Sequence, residues 1–247
     1  MKVLFHLGQY YIFLFRVFAR PKKHEIFLPQ LMREIYSLGI MSIGIVCIIS
    51  VFMGAVITMQ TAYNLENPLI PKYLVGLTAR DTMLLEFSST IVGLILAGKV
   101  GSNIASEIGS MRITEQIDAL DIMGINSANY LILPKITAAV LINPFLTVIS
   151  MFVGIMGGAL ASILTEVVNI SDYLYGIHYV FYPYYVFYSL IKSMFFAFII
   201  TSISAYQGYY ITGGALQVGQ ASTRAVVYSS IMILLFNVLL TQLMLSK

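Results

Sequence analysis

Charged and nucleophilic residues are sparse in this chain, so each place where their types and spacing could do chemistry can be weighed in turn. The stretch Gly93 to Val100, GLILAGKV, comes within one residue of the phosphate-binding pattern G-x-x-x-x-G-K-[ST]. Val100 stands where the magnesium-binding hydroxyl belongs, and the stretch lies in an apolar run instead of a strand-to-helix turn, so a nucleotide site is rejected. His6, His24 and His178 have no metal-ligand spacing, and no metal site is expected. Asp172 and His178 share one loop without a nucleophile beside them, which a solvated loop explains. Cys47 sits in an apolar run and reads as a small hydrophobe. Glu86 is different, because an acid close to hydrocarbon is costly and tends to mark function. A plain interfacial carboxylate would leave the same trace.

A second polar feature lies between two long apolar runs. Ile113, Ile117 and Leu120 fall at i, i+4 and i+7 and share one helix face, with Thr114, Glu115, Asp118 and Asp121 on the other. The spacing predicts a short amphipathic helix over 113–121, stopped at Gly124 and followed by Asn126 and Ser127. Pro134 is expected to open the next apolar run. Such a helix is either an ordinary solvated loop helix or a surface that a partner touches.

The elements that carry these residues follow from composition. With 247 residues, 59% hydrophobic and only 10% charged, the chain has too few charges to solvate a globular surface of its size. It belongs in a bilayer. A net charge of +3 without a basic block excludes nucleic acid as a partner. In residues 1–35, Lys2, His6, Gln9, Arg16 and Arg20 form a polar stripe on an otherwise apolar helix, which predicts an interfacial helix broken by Pro21, Lys22 and Lys23. The stretch on to Arg33 and Glu34 is expected to stay at the surface. Residues 36–247 then hold five runs near the ~20 residues a bilayer core requires, over 38–60, 84–106, 135–164, 186–208 and 225–245.

The third run contains Asn143 and Pro144 and is expected to tilt or kink, while Lys99 and Lys192 are placed near run ends where they can snorkel. Basic residues gather before the first span, whereas the 165–185 loop has Glu166 and Asp172 and no Lys or Arg. The N-terminus and the 112–121 segment are therefore expected in the cytoplasm, and the C-terminus outside. Ser89, Gly93, Ala97, Gly101 and Ala105 recur every fourth residue, as do Ser150, Gly154, Gly158 and Ser162, and both stripes predict close helix packing.

AGKVGSNIAS followed by EIGSMRITEQIDALDIMGI, with the ending GYYITGGALQVGQASTRAVVYSSIMILLFNVLLTQLM, resembles the MlaE (YrbE) family of ABC-transporter permeases from about residue 30 onward. The resemblance implies an all-α integral membrane protein, with an N-terminal interfacial helix, five transmembrane helices and a cytoplasmic coupling helix between the second and third. It implies a homodimer in the bacterial inner membrane, paired with an MlaF-like ATPase that binds ATP and magnesium and a periplasmic MlaD-like MCE protein. A STAS-domain protein of the MlaB kind is a further possible component, and phospholipid is the cargo. Carried over by motif, Glu107, Arg112, Thr114, Glu115, Gln116 and Asp118 belong to the coupling segment, to which Asp121 is added. Glu86 matches the acid of the family's Arg-Glu-Leu-Gly-Pro motif, and Tyr63, Leu77, Met83 and Asn237 are assigned with it to the lipid pathway. Leu85, Ser89, Lys99, Gln220 and Asn237 depart from the family pattern, which bears on lipid identity and cavity charge. Rival classes are an ion-coupled secondary transporter of a hydrophobic substrate and an intramembrane enzyme, the latter lacking any clustered nucleophile and base.

Overall fold

The computed structural model describes residues 2–19, 24–65, 67 and 69–245, and these are mostly helical with no strand among them. The elements are α1 (Lys2–Val17), α2 (Phe27–Asn64), α3 (Tyr73–Ile113), α4 (Gln116–Ile122), α5 (Ser127–Thr165), α6 (Ile170–His178), α7 (Pro183–Tyr209) and α8 (Ala215–Leu245). Five of them, α2, α3, α5, α7 and α8, are long and apolar enough to cross a membrane. Each reaches beyond the limits expected from hydropathy, because polar residues at the ends find partners inside the fold.

Glu34 shows how. It was expected at the surface, yet it lies in helix and receives the Lys135 ammonium at 2.7 Å. Neutralised there, it lets the helix run on into the first span. Similarly, α5 starts at Ser127 and not at Pro134, since the Asn126 side chain caps it by accepting the Asn129 N–H at 3.2 Å. Pro134 and Pro144 both lie inside that continuous helix, and each removes one ladder donor. Three stretches widen into π-helical turns: Ile35–Ile40 in α2, and Met83–Ile91 and Ala97–Gly101 in α3.

The core forms where small residues let backbones meet. A Cβ on Gly54 of α2 would run into the Gly154 carbonyl of α5, and one on Gly157 into the Val51 backbone. Helix α7 is buried between α3, α5 and α8, with Tyr188, Lys192, Phe196 and Ile200 enclosed. Helix α8 is the least covered span, leaving Val227, Ile231, Leu234 and Val238 exposed.

The N-terminal helix docks through Phe13 and Val17, both fully buried, with the half-buried Gln9 and Tyr10 beside them. The Tyr206 hydroxyl meets His6 Nδ1 at 3.2 Å and donates to Gln9 Oε1 at 3.1 Å, while Tyr10 donates to Ser202 at 2.8 Å. Burial pushes the Tyr10 phenol up from its ordinary pKa, which keeps it a donor. Leu4, Phe5, Tyr11, Ile12 and Phe15 are left exposed on the opposite face. Arg20, Pro21, Lys22, Lys23 and the Lys2 side chain lie outside the described residues.

Candidate functional site

Two polar constellations stand out, one within the spans and one at the α3–α5 junction. In the first, Lys192 of α7 is fully buried and donates to Glu86 Oε1 of α3 at 2.9 Å. Thr241 of α8 donates to the same oxygen at 3.2 Å, and Asn237 Nδ2 donates to Oε2 at 3.1 Å. Thr90 lies within 3.1 Å of both Glu86 Oε2 and Asn237 Oδ1. Tyr188 accepts a further Lys192 donor at 2.9 Å. A buried ammonium is tolerable only when paired and hydrogen-bonded, and here every side-chain partner is supplied by α3, α7 or α8. Glu86 remains 37% exposed, so the carboxylate is the face of the cluster that something outside the chain can reach.

Lys192 therefore corrects the expectation that it snorkels: it points into the protein, locked onto an acid 106 residues earlier. Lys99 also turns sideways, donating to the Met41 carbonyl of α2.

The residues assigned to a lipid pathway are only partly brought together. Glu86 and Asn237 join in the cluster, but Met83 is buried against Gly154 of α5, where it fills core. Tyr63 is exposed at the end of α2, and Leu77 is half-buried near the start of α3.

At the second constellation the expected single helix over 113–121 is broken. Helix α3 ends at Ile113, Glu115 takes a left-handed φ of 61°, and α4 resumes at Gln116. The break turns Ile117 fully inward, while Ile113 packs beside Ile211 of the turn before α8 and Val218 and Ala221 of its first turns. Leu120 is half-buried. Arg112 donates to Asp118 across the break at 2.6 Å and lies 5.9 Å over the Tyr209 ring, so these two charges clamp the bend. Thr114, Glu115, Gln116 and Asp121 are exposed, with Gln116 donating to Thr114 at 3.1 Å. Sequence periodicity missed the apolar tip: Ile122 is 87% and Met123 65% exposed.

Glu107 belongs to a neighbouring network, accepting from Lys135 at 2.7 Å together with Glu34. Lys135 is 4% exposed and joins α2, α3 and α5, a role that no local spacing announces. Arg80 was missed for the same reason. It is buried and donates to the carbonyls of Ile177, Tyr179 and Val180 at and just past the end of α6, and it pairs with Asp81.

The small-residue stripe of α3 faces α7. A Cβ on Gly93 would meet Phe196 at 3.2 Å and one on Gly101 would meet Ser204 Oγ at 2.9 Å, while the Ala105 carbonyl abuts Gly208. Ala97 and Ser89 are buried along the same helix. In α5, Gly154 meets Met83, and Gly158 meets Thr58 and Tyr173.

Comparison with known proteins gives this geometry a setting. The family described as Permease MlaE matches residues 31–243. A "probable ABC transporter permease protein" of Rickettsia prowazekii is 36% identical over 96% of this chain and 91% of its own. A protein of the same description from Synechocystis is 34% identical over 93% of this chain and 87% of its own. The chloroplastic protein TRIGALACTOSYLDIACYLGLYCEROL 1 of Arabidopsis thaliana is 31% identical over 92% of this chain and 64% of its own. On the match across its full membrane domain, the chain belongs to the MlaE family of ABC-transporter permeases.

Proposed function

We propose that this permease moves phospholipid or a related lipid between the bacterial inner membrane and a periplasmic MCE protein of the MlaD kind, contributing to outer-membrane lipid asymmetry. It acts as a homodimer driven by a cytoplasmic MlaF-like ATPase that binds ATP and magnesium, with an MlaB-like STAS protein as a further component. The α3–α5 junction, carrying α4, is the coupling element, which sets the N-terminus in the cytoplasm and the C-terminus in the periplasm. The Arabidopsis relative, whose name contains that of a galactolipid, supports a lipid cargo.

The observation that carries the reading is the bent segment itself. Ile117 anchors it and Arg112–Asp118 clamps it, yet Ile122 and Met123 project uncovered beyond them. Exposed apolar side chains on an anchored, rigid turn fit a partner's groove, where such residues become the centre of binding.

The test uses Ile122→Asp with Met123→Asp, and separately Glu115→Lys. Asp118 is avoided, because reversing it would break the clamp as well as any docking. The apolar double variant is expected to lower recovery of the ATPase on purification about tenfold, the equilibrium weight of ~1.4 kcal/mol, and to abolish lipid-stimulated hydrolysis. Glu115→Lys is expected to act more weakly, as a rim charge. Wild-type binding and hydrolysis in both variants would overturn the assignment. Lipid movement in liposomes that contain the permease and no ATPase would favour the ion-coupled alternative.

A further inference from the structure

A groove of about 750 Å³ opens between α2 and α3, away from the Glu86 cluster. Ser37 and Met41 wall it on α2, and Lys99, Ser102, Asn103 and Ser106 line it on α3. Both helices carry π-helical turns here, with Ser37 inside Ile35–Ile40 and Lys99 inside Ala97–Gly101. Such widened turns recur at functional sites because they leave backbone carbonyls and side chains to other partners. The Met41 carbonyl, immediately after the first of these turns, is taken up by Lys99.

Lys99 is the one charged residue among those that line the groove. The acids nearest on the same helices, Glu34 and Glu107, both bind Lys135 at 2.7 Å, and no acid pairs with Lys99 among the described residues. One of its three ammonium donors goes to the Met41 carbonyl, which leaves two for an anion. Beyond the groove, Met41, Ile45, Ile48 and Phe52 form an exposed apolar stripe along α2, at helical spacing.

We propose that this groove binds the phosphate of an anionic phospholipid, with Lys99 on the phosphate, Asn103 and Ser37 beside it, and the acyl chains along Met41, Ile45, Ile48 and Phe52. A single unpaired cation on a polar floor that opens onto an apolar stripe matches the two halves of one lipid molecule. A soluble anion would use the floor alone and make no contact with the stripe. The site deepens the function proposed above and rests on it for the class of molecule carried.

The full-length protein is equilibrated with vesicles of phosphatidylethanolamine and phosphatidylglycerol, or with phosphatidylcholine replacing the glycerol lipid, and retained lipid is counted by native mass spectrometry after extraction. The wild type is expected to retain phosphatidylglycerol in about tenfold preference, the weight of one charge-assisted contact. Lys99→Gln should lose that preference, and Lys99→Arg should keep it, which separates lost charge from lost fold. Phe52→Ser should lower retention of both lipids, since it shortens the stripe and leaves the charge. Retention is read without the ATPase and without transport, so failure of the proposed function and failure of this site are distinguishable. Equal retention by wild type and Lys99→Gln would overturn the proposal. So would displacement of the lipid by inorganic phosphate at millimolar concentration with no effect of Phe52→Ser, because that pattern marks a site for free phosphate.

Discussion

The Glu86–Lys192 pair shows why a charge inside a span has to be judged with its partner. Lys192 is fully enclosed, while Glu86 keeps one face open. Removing one member of a buried pair is costly mainly because the other is left as an uncompensated charge, whereas replacing both by apolar or neutral groups can be close to neutral. Glu86→Gln is therefore expected to lower stability by about 2 kcal/mol, below the value for a fully buried pair because the carboxylate is part solvated. Glu86→Gln combined with Lys192→Met should recover most of that loss. Thermal unfolding of the purified protein in detergent measures both, and a double variant no more stable than the single one would show that the pair is not the unit. Glu86 was legible in the sequence as an acid in an apolar run, and Asn237 as a departure from a family pattern. Their junction with Lys192 was not, since hydropathy sees a lysine nine residues past Pro183 as a residue near a span end and carries no sign of which face it occupies.

At the scale of elements, helix positions were legible and helix faces were less so. The small-residue repeats of α3 and α5 are visible because close packing needs them at every turn. Gly54 in α2 lies outside those two repeats and was not marked by them, yet it opposes the Gly154 carbonyl. A backbone atom cannot swing aside as a side chain can, so Gly54→Ala must push α2 and α5 apart. Overpacking of this kind is expected to cost about 1–3 kcal/mol, whereas Gly44→Ala on the same helix, with nothing within 4 Å of the added methyl, should be tolerated. Comparing the detergent melting temperatures of the two variants checks this, and equal melting would mean that the α2–α5 contact is looser than it stands here. The bend at Glu115 was hidden for a related reason. Ile113, Ile117 and Leu120 satisfy a helical period, but period alone does not report a residue in the left-handed region, and Glu115 supplies no glycine signal for one.

At the scale of the whole molecule, five spans and the family were legible from hydropathy and from motifs more than thirty residues long in total. The orientation rests on charge: Arg16 lies before the first span and Arg33 in its first two turns, and the α5–α7 connection has no Lys or Arg of its own. Arg80 does reach that connection from α3, but it is buried against the carbonyls at the end of α6 and presents no charge to an aqueous surface, so it does not weaken the argument. Labelling sites must likewise be chosen by exposure. A cysteine at Ser127 would stay unlabelled on either side, because that residue is 1% exposed and bonded to Tyr209, and silence there would say nothing about topology. Ser171 at the start of α6 and Met123 at the tip of α4 are both exposed and lie in connections that the five spans place on opposite sides. In a Cys47→Ala background, Ser171→Cys in intact cells is expected to react with a membrane-impermeant maleimide, and Met123→Cys only after the cells are opened. The reverse pattern would put α4 outside, beyond reach of any cytoplasmic ATPase. Labelling of both in intact cells would mean that an even number of membrane crossings separates them, in place of the single crossing by α5.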